Sequence, residues 1–215
     1  MVAATFKDWT LTKLDKTFGL RQIWECELLK EWENNTIKVE EADKIILLKL
    51  QKSLIRGGRS WNETELENKF ISPLIMTADI DDEEIGYFLE RNLSHVIGEY
   101  ELSGTVDGMI ATGFRDPDIP LFCLHEYKRS VENQGSPEAQ VLAAMLVARE
   151  KNNNKLPIYG LFVVGLVWNF IVLNHNEYCI SIEYTASNGG IFDIFRMVKR
   201  LKQIIKNELV ELYKN

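Results

Sequence analysis

An apolar run at Leu121–Tyr127 restricts the fold of this chain more than any other segment. Only His125 and Glu126 interrupt its apolar character. A run of this kind is typical of a central strand that is covered on both faces. The run therefore predicts a β-sheet with helices packed against it, which the rest of the chain has to supply.

Strand and helix patterns follow one another on both sides of this run. Residues 100–107 alternate in polarity, as a half-buried strand does, and a turn rich in Gly, Asp and Pro follows. Ser136-Pro137 has the residue types of a helix start. That helix is predicted to end near Lys151, with strands at 159–167, 169–173 and 179–184 and a last helix at 191–213. These patterns predict an α/β protein with a central sheet flanked by helices.

Helical spacing dominates the first part of the chain. Leu11, Leu14 and Phe18 lie on one side of a predicted helix, and Ile46, Leu47, Leu50 and Leu54 lie on one side of another. Gly57-Gly58 then interrupts the pattern. Residues 1–56 are therefore predicted to be an N-terminal helical extension, and residues 57–215 the main domain.

A further helix is predicted at 61–75, just after this break. Its apolar positions Leu66, Phe70 and Leu74 keep helical spacing. Pro73 is expected to end it, because proline cannot donate the hydrogen bond that a helix interior requires.

Charge is unevenly distributed along the chain, whose net charge is −7. Residues 57–195 carry nine Lys and Arg against 21 Asp and Glu, and the last 20 residues carry six against two. An acidic middle block suits carboxylates that hold a divalent cation, although solvated surface acid explains it equally well. The basic residues of the last helix are more often a solvated face than a DNA-binding groove.

Cysteine usage and hydropathy indicate where the chain is expected to function. No apolar run reaches the roughly 18 residues required to span a bilayer, and no secretion signal is visible. Cys26, Cys123 and Cys179 are an odd number without close pairing. They exclude a disulfide framework and a CxxC metal site, and they fit a reducing cytoplasm. A cytoplasmic protein without membrane contact is therefore expected.

Three charged side chains are expected to converge at the end of the apolar run. Glu126 and Lys128 project to one face of a strand, whereas Tyr127 and His125 project to the other. Asp107 lies 19 positions before Glu126, at the expected end of the preceding strand. A hairpin between the two strands would bring Asp107 beside Glu126, with the Lys128 ammonium next to them.

Two neighbouring carboxylates repel each other unless a cation lies between them. Ligands with oxygen atoms only favour Mg²⁺ or Mn²⁺ over zinc. Such an ion can lower the pKa of a bound water and orient a phosphodiester. Lys128 would hold the attacking water or stabilise the charge that develops on the phosphate.

The motif Gly104-Thr105-Val106-Asp107 followed by Glu126-Tyr127-Lys128 resembles the core of the PD-(D/E)xK nuclease superfamily. Gln140 on the next helix resembles a glutamine that follows this core in several branches. The segment from Trp61 to Leu74 resembles the acidic helix that opens the fold. Val106 departs from the pattern, because it stands where the family name has proline. Within the superfamily, the chain is similar to bacterial nuclease-like proteins of uncharacterised function.

The resemblance covers residues 61 to about 185 and implies a restriction-endonuclease-like mixed sheet. It makes Asp107 and Glu126 metal ligands, adds the Tyr127 carbonyl as a further ligand and makes Lys128 the catalytic lysine. It also implies that Gln140 orients the site. Glu63 is the expected helical acid, with Glu67 as the reserve.

Two classes of function follow from these residues and this resemblance. The first is a metal-dependent nuclease that hydrolyses phosphodiester bonds, with DNA as the expected substrate. The alternative is a catalytically inactive domain of the same fold that binds nucleic acid or a protein partner. The helices of residues 1–56 could also serve assembly, for example as a homodimer.

Overall fold

The run Leu121–Tyr127 lies inside an eleven-residue strand of a mixed β-sheet. A computed structural model describes residues 1–34, 36–128 and 136–214. The strands in these residues are Val2–Thr5 (β1), Arg21–Gln22 (β2), Ile85–Ile97 (β3), Tyr100–Thr112 (β4), Asp118–Lys128 (β5), Ile158–Val164 (β6), Val167–Asn174 (β7), Glu177–Ile180 (β8) and Tyr184–Thr185 (β9). They form one sheet in the order β1-β4-β5-β6-β7-β8-β2, with β3 paired to β4 and β9 paired to β7.

Helices cover both faces of the sheet. They are Leu11–Phe18 (α1), Glu27–Glu33 (α2), Glu41–Gly57 (α3), Glu63–Leu66 (α4), Ser72–Thr77 (α5), Pro137–Lys151 (α6), Gly190–Ile204 (α7) and Val210–Lys214 (α8). One buried cluster lies between α6 and the sheet, and α1 packs against α6. A second cluster on the opposite face contains α2, α3, α5 and α7. No helix within the described ranges is both long and apolar enough to cross a bilayer.

The sequence pattern predicted that residues 1–56 form a helical extension. The structure shows strands as well as helices in this segment. Helices are present at α1, α2 and α3, but β1 pairs with β4 and β2 pairs with β8. The Val2 amide donates to the Glu99 carbonyl at 2.8 Å, and the Arg21 amide donates to the Asn176 carbonyl at 2.8 Å. Strands of four and two residues are too short for a polarity period, so pairing at the sheet edges decides their conformation.

The long strand β3 was absent from the sequence prediction. It forms an antiparallel hairpin with β4, closed by Gly98, whose φ of +60° a side chain would disfavour. Five of its thirteen residues are exposed, and they include the row Ser94, His95 and Val96. Pairing with β4, rather than burial of one face, therefore holds this segment extended.

Pro73 does not end the predicted helix. Residues 63–77 remain helical because a π-helical turn at Glu67–Ile71 precedes Pro73. A wider turn of this kind changes the hydrogen-bond pattern where the proline lacks its amide proton. The prediction was therefore wrong at the C-terminal end of this helix.

The basic residues of the last helix contact acidic residues of the same chain. Lys199 pairs with Asp43 at 3.2 Å, and Lys206 pairs with Asp82 at 2.8 Å. Lys202 lies 3.8 Å from Asp82. The uneven charge along the sequence is thus partly balanced within the fold, and these three lysines do not form a free basic groove.

Candidate active site

Along one side of β4 the neighbouring strand changes from β1 to β5. We call the gap between these two strands the fork. β3 pairs with the whole length of β4 on one side. On the other side, β1 pairs with Tyr100–Ser103, and β5 pairs with the stretch from Gly108 onward. Gly104 stands at the start of this gap, and an added Cβ would lie 2.4 Å from the Phe6 ring. The glycine of the predicted motif is therefore required where residues after β1 cross over β4.

Asp107 and Glu126 face each other across this fork. β4 and β5 are antiparallel with Gly108 opposite His125, so continuing this register places Asp107 opposite Glu126. The expected pairing of the two strands is confirmed, and both carboxylates lie on the sheet face that α6 covers. The sequence suggested that Asp107 ends its strand, but β4 continues to Thr112.

The carboxylate of Asp107 accepts a hydrogen bond from the strand that carries Glu126. The Tyr127 amide donates to Asp107 Oδ2 at 2.5 Å. A strand residue presents its N–H and C=O to the same neighbour, so the Tyr127 carbonyl also faces the fork. The side chain of Tyr127 lies in the buried cluster on the opposite face, as the period of two predicted.

Lys128 is held against Glu126 in a site with little solvent access. Its Nζ lies 2.8 Å from Glu126 Oε1, and the two side chains are 12% and 7% exposed. Burial disfavours the charged form of Lys128, but the neighbouring Glu126 outweighs burial, and the lysine pKa is raised. The structure thus brings together the three groups that the sequence pattern selected.

Burial and mutual repulsion raise the pKa values of both carboxylates above their ordinary values. Burial, followed by the charge of Asp107, raises the pKa of Glu126 to about 7. Burial also raises the pKa of Asp107 to about 6, although the Tyr127 amide and Lys128 act in the opposite direction. A proton or a bound cation would relieve the same repulsion.

Both candidate acids of the α4 segment reach the fork. Glu63 Oε1 lies 3.9 Å from Lys128 Nζ, and its side chain is half exposed. Burial and the charge of Asp107 raise the pKa of Glu67, so Glu67 also lies near the carboxylate pair. The structure therefore gives Glu63 the contact with Lys128, and both Glu63 and Glu67 lie near enough to Asp107 for their charges to interact with it.

Two charged residues near the site were missed by the sequence analysis. Glu90 on β3 falls opposite Asp107 in the register, and its backbone has φ of +50°, where a glutamate is rarely found. Lys7, just after β1, lies close enough that its charge lowers the pKa of Glu126. The sequence signal for Glu90 was the polar run Glu90-Arg91-Asn92. This run indicates a site residue only once β3 is known to pair with β4.

Gln140 lies on α6, the helix that covers the face on which Asp107, Glu126 and Lys128 project. It is 2% exposed, although glutamine is usually a surface residue. Its proposed role in orienting the site remains a prediction.

A buried chain of rings supports the site from the opposite face. The Tyr127 hydroxyl lies 2.8 Å from His125 Nδ1 and 2.9 Å from the Tyr87 hydroxyl. Burial lowers the pKa of His125 to about 3, so the imidazole is neutral. His125 therefore points away from the carboxylates, as the sequence indicated. Its hydrogen bond holds the ring of Tyr127, which lies between Glu126 and Lys128 in the strand.

The paired carboxylates fit a divalent cation as a minimal set of ligands. Within residues 1–34, 36–128 and 136–214, no three His, Cys, Asp or Glu side chains are grouped closely enough to hold an ion. Mg²⁺, however, usually binds one or two carboxylates and completes its shell with water and substrate phosphates. Two opposed carboxylates with raised pKa values, together with a carbonyl on the same edge, match that requirement.

The raised pKa of Glu126 predicts how stability changes with pH in the metal-free protein. Its folded-state pKa of about 7 lies above its ordinary value of 4.5. Between these values the native state binds more protons, so stability is lost as the pH rises through the folded-state pKa. Urea unfolding in EDTA should show a larger loss between about pH 5 and about pH 8 for the wild type than for Glu126→Gln.

The exposed residue Glu99 provides the matched control for this experiment. Glu99→Gln should keep the pH dependence of the wild type. Equal pH dependence in Glu126→Gln and the wild type would contradict the prediction.

Comparison with protein-family models and with curated proteins found no match for this chain. Membership of the PD-(D/E)xK superfamily therefore stays an expectation that rests on the motif.

Proposed function

We propose that this chain is a metal-dependent nuclease of the PD-(D/E)xK type, with a restriction-endonuclease-like sheet, that hydrolyses phosphodiester bonds of DNA. The observation that carries the proposal is the fork between β4 and β5. There, Asp107 and Glu126 oppose each other on one face, and the Lys128 ammonium lies 2.8 Å from Glu126. Two acids that can hold a divalent ion and an amine that can stabilise charge on a phosphate together suit hydrolysis of a phosphodiester.

Each residue of the fork has a role in this proposal. Asp107, Glu126 and the Tyr127 carbonyl would hold Mg²⁺ or Mn²⁺, which when bound activates water and neutralises phosphate charge. Lys128 stabilises the negative charge that develops on the phosphate, because its ammonium is fixed and largely shielded from solvent. Glu63 limits where that ammonium can move, and Gln140 orients the group from α6.

The direct test is cleavage of a mixed pool of single-stranded and duplex DNA and RNA. We expect cleavage with Mg²⁺ or Mn²⁺ and none in EDTA. Absence of cleavage with either ion on every form of nucleic acid would contradict the proposal. Mass analysis of the products would show hydrolysis at the phosphodiester bond.

Binding of the cation gives a second prediction that does not require catalysis. Mn²⁺ should raise the melting temperature of the wild type, because a ligand at about 100 times its Kd stabilises the native state by about 2.7 kcal/mol. The shift should be lost in Asp107→Asn. It should be retained in Asp116→Asn, which changes an exposed aspartate outside the fork. Equal shifts in both variants would place the ion elsewhere.

The alternative is a catalytically inactive domain of this fold that binds nucleic acid or a protein. It is favoured by the close ion pair of Lys128 with Glu126, which occupies the ammonium that would otherwise act on a phosphate. This alternative predicts normal function after Glu126→Gln. If its partner is nucleic acid, binding should weaken as salt increases.

Location and assembly complete the proposal. Cys26, Cys123 and Cys179 are free thiols, which suits a reducing cytoplasm. Sedimentation of the full chain at several concentrations tests whether it forms a homodimer.

A further inference from the structure

An open cleft of about 640 Å³ lies on the α6 face of the sheet, beside the fork. Its sides are mainly apolar and include Phe162, Val164, Val167 and Ile180. Its volume is within the range of about 300–1,000 Å³ that is typical of sites for small molecules or single groups. A site of this size beside the carboxylates can hold part of their substrate.

The register of the strands connects this cleft directly to the candidate active site. Glu126 pairs with Phe162, and Phe162 pairs with Asn169. Two residues further along β5, Lys128 pairs with Val164, which pairs with Val167. Neighbouring strands lie about 4.8 Å apart, so the cleft begins about one strand spacing from Glu126 and Lys128.

The cleft contains one buried amide among its apolar side chains. Asn169 is 8% exposed, and its Nδ2 donates to the Ser181 carbonyl at 3.5 Å, which is a long hydrogen bond. In the part of the chain that the structure describes, no donor contacts its Oδ1. The amide can therefore offer an acceptor, and a donor that is only weakly used, to a planar polar group.

The charges of the described residues that line the cleft disfavour phosphate inside it. Glu138 and Glu183 also line the cleft, whereas Lys128 lies at the fork. Among the described residues that line the cleft there is no lysine or arginine, so a phosphate inside it would face these carboxylates without a compensating charge from them. The part of a nucleotide that enters must be flat, uncharged and able to hydrogen-bond along its edge.

We propose that this cleft binds the base of an unpaired nucleotide beside the cleaved phosphate, and this proposal rests on the nuclease function above. A base enters with its faces against apolar side chains and its edge toward Asn169, as proteins recognise unstacked bases. A base in a duplex is stacked and paired, so it cannot enter without leaving its partner. The substrate class is therefore single-stranded nucleic acid or a strand with an unpaired end.

The test compares two fluorescent single strands of equal length, an oligothymidylate and an oligomer whose nucleotides lack bases. Fluorescence anisotropy in EDTA measures binding to the full chain without cleavage. We expect the wild type to bind the oligothymidylate at least about tenfold more tightly, because contacts to bases contribute on this scale. Val167→Trp, which fills the cleft, should remove this preference. Val96→Trp, at an exposed valine of β3, should retain it.

Asn169→Ala provides a second variant if Val167→Trp does not fold. It should weaken binding of the oligothymidylate and leave binding of the abasic strand unchanged. Equal affinity of the wild type for both strands, or no binding to either, would overturn the proposal. A preference that persists in Val167→Trp would also overturn it, because the base would then bind elsewhere.

Cleavage assays on the same two strands, with Mn²⁺ in place of EDTA, separate this proposal from the nuclease function. Cleavage without a preference for the base-bearing strand would leave the nuclease function standing and reject the base site. A preference without cleavage would support the base site and favour the non-catalytic nucleic-acid binder.

Discussion

Lys128→Ala should lower the rate of metal-dependent DNA cleavage by a factor of about a hundred or more. The lysine supplies a positive charge 2.8 Å from Glu126. Its side chain is only 12% exposed, so water cannot replace the ammonium as it could at an open surface. Single-turnover cleavage with saturating Mn²⁺ measures this effect.

Lys155→Ala is the matched control, because it removes an exposed lysine outside the fork. It should leave the cleavage rate unchanged. Both variants should fold, since Glu126 can take up a proton when Lys128 is absent, given its pKa of about 7. A folded Lys128→Ala variant that cleaves at the wild-type rate would exclude Lys128 from catalysis.

Trp32→Ala should destabilise the protein by about 3–5 kcal/mol, the usual cost of removing a large buried aromatic side chain. Trp32 is fully buried, and its Nε1 donates to the Met197 carbonyl at 2.8 Å. Its ring meets those of Tyr159 and Phe170 edge-on, with centroids 5.0 Å apart in each pair. The substitution therefore leaves a cavity and removes a buried hydrogen bond to α7 in the same place.

Trp24→Ala is the control, because Trp24 lies in the same segment and is 86% exposed. It should change the free energy of unfolding by less than about 0.5 kcal/mol. Urea unfolding followed by circular dichroism measures both variants. A small effect of Trp32→Ala, or separate unfolding of the first 56 residues, would show that this segment is not part of the common core.

Periodic burial explains which elements could be predicted. α6 was predicted at its observed ends because Ser136 caps it and Pro137 opens it. β5 was predicted because a strand covered on both faces leaves an apolar run. β1 and β2 left no such signal, since hydrogen bonds to distant strand edges hold them in place.

The site was predicted to the extent that it depends on local spacing. Glu126 and Lys128 share a face because strand side chains alternate, and one antiparallel pairing was enough to add Asp107. Glu90 and Lys7 could not be found in this way. They approach the carboxylates only because β3 pairs with β4 and because β1 places the residues after it over Gly104.

The sequence by itself determined the alternation that puts Glu126 and Lys128 on one face, the apolar run that buries them and the helix that follows. These features depend on neighbours along the chain. The tertiary structure alone decided the fork in the sheet, the raised pKa values of Asp107 and Glu126, and the cleft beyond Phe162. These depend on burial and on the register between strands that are distant in sequence, which no local pattern contains.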